Sequence, residues 1–192
     1  MKRHTKFVTA SGKLFDYTTF NVRDVCLQDI AHHLANERRY GGALPLDVYF
    51  SVSCHSINVM NYVFEVVTGL NYDEDTVKRL MRYALFHDAS EAYLKDLPTG
   101  LKVLLPEYKE LERKFSDVIY SKYDIEENKY ITDVIDKCMF LDEVLALRPE
   151  HFRTYSKYSK NNPLEFKIRF FTPEESKRLF LSACEELGIT DD

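Results

Sequence analysis

Val52-Ser53-Cys54-His55-Ser56-Ile57-Asn58-Val59-Met60-Asn61-Tyr62-Val63-Phe64-Glu65-Val66-Val67-Thr68-Gly69 is the stretch that decides the fold class. Val52, Val59, Val63 and Val66 recur at the spacings of one helix face, and Thr68-Gly69 ends the run. The same period continues outward on both sides. Leu27, Ile30, Ala31, Leu34 and Ala35 form an earlier stripe, which Gly41-Gly42 is expected to stop as a C-cap. Downstream, Asp73 has the chemistry of an N-cap for a helix carrying Val77, Leu80, Met81, Ala84 and Leu85. Asp96-Leu97-Pro98-Thr99-Gly100 breaks the pattern as a loop, and Pro106-Glu107 opens a helix with Leu111, Phe115, Val118 and Ile119 inward. Ile131, Ile135, Met139 and Leu147 mark a fifth helix, stopped by Pro149. Thr172-Pro173-Glu174-Glu175 starts another, closed by Gly188. Only Phe166, Ile168 and Phe170 alternate as a strand does, predicting one short strand or hairpin near residues 165–171. The expected architecture is all-α, one multi-helix domain over residues 1–192.

Composition narrows the class. Apolar residues make up 45% of the chain, enough for a real core, and Lys+Arg 26 against Asp+Glu 31 gives a net charge of −5. That balance argues against a polynucleotide partner, which calls for a basic surface. No segment approaches the ~18 consecutive apolar residues that span a bilayer, so no membrane partner is expected. Cys26, Cys54, Cys138 and Cys184 are widely spaced with no C-x-x-C pair, which fits reduced thiols in a cytoplasmic protein. Residues 155–162, with Phe166, Ile168, Phe170 and Phe171, are a candidate contact for a homo-oligomer.

Chemistry concentrates on two of the helices. His55 falls in line with Val52, Val59, Val63 and Val66, and His87 with Val77, Leu80, Ala84 and Glu91, with Asp88 directly following. An imidazole on an apolar face needs a partner for each ring nitrogen, and a buried carboxylate needs more compensation still. A lone histidine there reads as a hydrogen-bonded core residue. His55 together with His87, Asp88 and Glu91 reads instead as ligands for a divalent cation, with Glu91 one turn beyond His87 as a proton-handling carboxylate.

The run His87-Asp88-Ala89-Ser90-Glu91-Ala92-Tyr93-Leu94-Lys95-Asp96-Leu97-Pro98 resembles the signature of HD-domain phosphohydrolases, in their 5′-deoxynucleotidase-like branch. Other segments join it in order: Asp29-Ile30-Ala31-His32, Arg39-Tyr40-Gly41-Gly42, Phe50-Ser51-Val52-Ser53-Cys54-His55-Ser56 and Leu104-Leu105-Pro106-Glu107-Tyr108. The resemblance covers about residues 5–148. It implies one divalent metal ion (Co, Mn, Zn, Mg or Fe) held by His55, His87, Asp88 and a distal aspartate. For that aspartate, Asp136 with Met139-Phe140 and Glu143 fits the family pattern. Asp142, in line with Ile135, Cys138 and Leu145, is the rival.

The resemblance further implies that Arg39 sits near the substrate phosphate and sugar, with Tyr40 beside it against sugar or base. It assigns Lys102 to phosphate, and Asp96 to the sugar or to proton transfer with Glu91. Independently, a guanidinium at a helix end beside Gly41-Gly42 suits bidentate phosphate binding. Three positions depart from the family: Cys54 before the first ligand, Ala43 after the glycines, and Asp16-Tyr17 in place of an aromatic-proline pair. The implied activity is metal-dependent hydrolysis of the 5′ phosphoester of 2′-deoxynucleotides. Its sharpest form resembles the phage dATP triphosphohydrolases, giving deoxyadenosine and tripolyphosphate in a bacterial host cytoplasm. A 5′-deoxynucleotidase acting on dNMPs and a non-catalytic assembly module are the alternatives.

Overall fold

In the computed structural model, which describes residues 4–191, every residue from 52 to 60 is buried. A helix enclosed on all sides belongs at the centre of its domain, and that is the place of α2 (Val52–Gly69). Packed around it are α1 (Leu27–Asn36), α3 (Glu74–Phe86), α7 (Lys129–Leu147) and α9 (Pro173–Glu186). Between α3 and α7 run the short α4 (Glu91–Leu94) and α5 (Thr99–Leu104), then α6 (Pro106–Tyr123); α8 (Phe152–Tyr158) follows α7. The fold is all-α apart from one small antiparallel hairpin, β1 (Lys6–Val8) with β2 (Leu14–Asp16), in which Phe7 faces Phe15. No helix among the described residues is long and apolar enough to cross a membrane.

Local chemistry sets the helix ends where the sequence placed them. Asp73 accepts from the Thr76 amide at the start of α3. Thr172 and Glu175 form a reciprocal capping box with Pro173 at the first helical position of α9. Caps of this kind contribute about 1 kcal/mol each. Gly188, at φ 68°, takes the left-handed conformation that ends α9.

Two expectations need correction. Gly41 and Gly42 do not cap α1, which ends at Asn36 with Glu37 extended; they lie in a separate 3-10 turn, Arg39–Gly42. The strand expected near residues 165–171 pairs with no other strand among the described residues. That segment does alternate, with Ile168 buried between exposed Lys167 and Arg169, but side chains hold its backbone. Asp142 Oδ2 accepts from the Leu164 amide at 2.8 Å, Asn58 grips both the amide and the carbonyl of Arg169, and the Cys54 thiol donates to the same carbonyl. It is a strap across α2, not a sheet edge.

Candidate metal centre and catalytic site

His55, on the first turns of α2, is fully buried, and its Nδ1 donates to Glu143 Oε1 at 2.5 Å. His87 follows the last residue of α3, and its Nδ1 donates to the Ala84 carbonyl at 2.8 Å. A continuing helix would offer that carbonyl to the Asp88 amide. The chain instead tightens into i+3 bonds, Ala89 N to Phe86 O and Glu91 N to Asp88 O. His87 and Glu91 therefore do not share one helix face, as the periodicity suggested. A turn separates them, and Glu91 opens α4.

Because both Nδ1 atoms are committed as donors, both Nε2 atoms present lone pairs, and these face each other 3.2 Å apart. Asp136 Oδ1 lies 3.0 Å from His55 Nε2 and 3.9 Å from His87 Nε2. Asp88 Oδ2 lies 3.7 Å and 3.3 Å from the same two atoms. Four acceptors converge with no donor of their own among them, an arrangement that a cation or added protons would relieve. Among the described residues, His55, His87 and Asp136 form the group whose ligand atoms all lie within 4.8 Å of one another and that could hold a metal ion. The electrostatics agree. Burial disfavours a charged His87, yet Asp88 and Asp136 outweigh it and push its pKa up to about 10. Against the same burial, His87, His55 and Arg39 hold the Asp88 carboxyl well below the usual carboxylate range.

The two aspartates six positions apart on α7 separate cleanly. Asp136 joins the ligand group, whereas Asp142 is buried on the side of the strap and accepts from its backbone. Glu143 is the residue whose role the sequence did not disclose. Fully buried, it accepts from His55 Nδ1 and, through Oε2, from the Tyr40 hydroxyl at 2.8 Å, with Arg39 Nε 3.4 Å away. A carboxylate behind a ligand histidine fixes the ring's tautomer and orientation. Its one sequence signal was its place seven residues after Asp136, two turns along the same face.

Arg39 is not at a helix end. It opens the 3-10 turn after an extended residue pair, and Arg38 bridges to Ser51. Arg39 Nη1 donates to Asp88 Oδ2 at 3.4 Å, and the buried Arg39 Nε has no hydrogen-bond acceptor. Glu91 is buried at 3% exposure; Oε1 accepts from Lys102 Nζ at 2.9 Å, while Oε2 has no partner. Burial, with Asp88 and Asp96 adding repulsion, raises the Glu91 carboxyl well above its ordinary value. Lys102, on α5, also pairs with Glu112 Oε1 at 2.7 Å, which keeps it an ammonium ion when Glu91 is protonated. Asp96 is half-buried and its carboxyl is also raised, by burial, with Arg39 opposing. Its amide donates to Glu37 Oε1 while Lys95 Nζ pairs with Glu37 Oε2, so Glu37 anchors this turn. The structure thus gathers His55, His87, Asp88, Asp136, Arg39, Tyr40, Glu91, Lys102 and Asp96 around one locus. Asp16 and Tyr17 serve the hairpin: Asp16 accepts from Thr18 and the Tyr17 hydroxyl donates to Tyr93 O.

No family model matches the chain. Among curated proteins, it is 37% identical over 117 residues to the "Uncharacterized protein YfdR" of Escherichia coli (strain K12), covering 61% of this chain and 57% of that protein. It is 28% identical over 116 residues to the "Uncharacterized protein RCAP_rcc00048" of Rhodobacter capsulatus, covering 60% and 56%. The chain therefore spans little more than half the length of the relatives it matches.

Proposed function

We propose that this protein is a metal-dependent phosphohydrolase of the HD-domain kind that cleaves the 5′ phosphoester of 2′-deoxynucleotides. The observation that carries the reading is the convergence of four acceptor atoms, from His55, His87, Asp88 and Asp136, beside a buried carboxyl with a free oxygen. Those four residues would hold one divalent ion. When bound, such an ion supplies positive charge to a phosphoryl oxygen and acidifies water.

The remaining work falls to the chain's own groups. Arg39 and Lys102 neutralise charge on the phosphate and orient it. Water attacks the α-phosphorus, its proton passing to solvent, and the bond to the sugar's 5′ oxygen breaks. That alkoxide is a poor leaving group and needs a proton. Glu91, kept protonated by burial and with Oε2 unengaged, is suited to donate it. Asp96, on the turn that follows α4, is assigned to the sugar. Phosphate count changes the product and not the step. A monophosphate gives nucleoside and orthophosphate, and dATP gives deoxyadenosine and tripolyphosphate, the sharpest form of the proposal.

Purified protein incubated with dNMPs and dNTPs, with and without chelator, tests it. Tripolyphosphate from dATP supports the sharp form, and orthophosphate from dNMPs supports a nucleotidase. Absence of metal-dependent turnover across the whole panel overturns the reading.

A further inference from the structure

The turn of the hairpin and the helix that carries Glu91 meet on one imidazole. Asp29 and His33 stand four residues apart on α1, one turn along the same buried face, and take two consecutive amides of that turn. Asp29 accepts from the Ser11 amide and hydroxyl, each at 2.7 Å, and His33 Nε2 accepts from the Ala10 amide at 3.1 Å. On its other side, His33 Nδ1 donates to the Ala92 carbonyl at 2.7 Å. These partners fix the state of the ring, because an amide N–H only donates and a carbonyl only accepts. The neutral Nδ1–H tautomer satisfies both. A proton added at Nε2 points at the Ala10 N–H, donor against donor.

Helix α4 depends on such outside partners. It is four residues long, and Ser90 before it gives no side-chain cap. Its last carbonyls, unpaired within so short a helix, go to side chains from elsewhere. That of Ala92 is taken by His33, that of Tyr93 by the Tyr17 hydroxyl, and those of Leu94 and Lys95 by the Tyr108 hydroxyl. Phe15 of β2 also meets the Tyr93 ring edge-on, at 5.5 Å and 88°. Hairpin and α4 therefore hold each other, with His33 between them.

From this geometry we propose that His33 is a positioning residue for Glu91 and a proton-sensitive latch. Neutral, it clasps the hairpin turn to α4; as imidazolium, it releases the turn and loosens the segment that opens with Glu91. The role at Glu91 rests on the phosphohydrolase reading, whereas the latch itself does not. The charged and titratable groups facing the ring are Asp29 and His32 on α1, Tyr93 on α4, and Lys95 beyond it, which is paired with Glu37. The hairpin turn presents only neutral residues, Thr9 to Ser11, and the Phe7 ring. Burial lowers the His33 pKa from its ordinary 6.5, with the Ala92 carbonyl and Asp29 opposing. A released ring thus takes up its proton at higher pH than a clasped one. The clasp is at full strength above about pH 6.5 and weakens as pH falls, by up to about tenfold per unit.

The test compares the wild type with His33→Gln, whose side-chain amide offers one donor and one acceptor but does not titrate. The readouts, between about pH 8 and 5, are hydrogen-exchange protection of the Ala10 and Ser11 amides, corrected for intrinsic rates, and kcat on deoxynucleotides with metal kept saturating. Wild-type protection is expected to fall by up to about tenfold per unit on the acid side, with kcat following, while His33→Gln stays flat in both. Glu91 as a proton donor is favoured at low pH, so such an acid limb is not its own. Parallel profiles in the two proteins overturn the proposal, and falling protection with a flat kcat overturns the role at Glu91. If His33→Gln does not fold, as judged by its melting transition, nitrogen NMR of the wild-type ring decides: an imidazolium beside a still protected Ala10 amide overturns the latch, and protection lost in step with ring protonation supports it. Should the wild type turn over no nucleotide at any pH, the phosphohydrolase reading fails by itself, and amide protection alone then decides the latch.

Discussion

His55 and Lys102 stand on opposite flanks of the same locus. His55 is fully buried within the central helix, its Nδ1 bonded to Glu143 and its Nε2 facing Asp136, both groups that the core positions. Lys102 rides on α5, six residues of which none is buried, and is held in place by two carboxylates, Glu91 and Glu112. The ligand flank is a by-product of core packing, since moving His55, His87 or Asp136 means moving α2, the end of α3 or α7. The opposite flank is an arrangement of charges on short segments. Errors on the first should appear as lost metal, and errors on the second as altered turnover.

The largest expected effect comes from Asp136→Asn, which should drop metal content and turnover together to background, as read by elemental analysis and by phosphate release. Retained metal would erase the contrast between the flanks. Glu91→Gln should keep metal but lower kcat by about 10²–10⁴. Its pH profile sharpens the point. With its pKa raised by burial, Glu91 is a proton donor at low pH and stops being one as pH rises through that raised value. The wild type should therefore lose activity on the alkaline side, and Glu91→Gln should lack that limb.

Glu143→Gln should weaken metal affinity by about 10–100-fold, measured by competition with a chromogenic chelator. Next comes pH itself. Protons occupy the ring lone pairs that a cation needs, and His87 is pushed up to about 10 when no cation is there. Metal affinity should fall as pH is lowered, by about tenfold per unit for each proton displaced, with proton release visible in buffer-dependent calorimetric heats. Smallest is Asp142→Asn, which weakens the acceptor for the strap at Leu164. It should cost about 1–3 kcal/mol in chemical denaturation while metal content stays unchanged.

What was legible in the sequence follows from range. Asp73 and Thr172 act on amides three residues away, so their caps could be read directly. His55 and His87 could be paired because each stood out against its own apolar stripe. Glu143 could not be assigned, since its partners Tyr40 and His55 lie 103 and 88 residues away and no local pattern announces them. Phe166, Ile168 and Phe170 misled for the same reason. Alternation reports that one face is buried, not whether a strand or the side chains of Asp142 and Asn58 satisfy the backbone. The turn at Arg39–Gly42 was misassigned because glycines that end a helix and glycines that permit left-handed backbone look alike in sequence.

One carboxylate links the two flanks. Glu143 accepts from His55 through one oxygen and from Tyr40 through the other, with Arg39 at ion-pair distance. A cation that draws on the His55 ring changes the proton affinity felt by Glu143, and so the grip on Tyr40 and Arg39. Thermodynamic reciprocity then requires that whatever binds against Tyr40 and Arg39 shift affinity for the cation by the same factor. Under the proposed function, cation and substrate would therefore bind cooperatively, coupled through this one side chain.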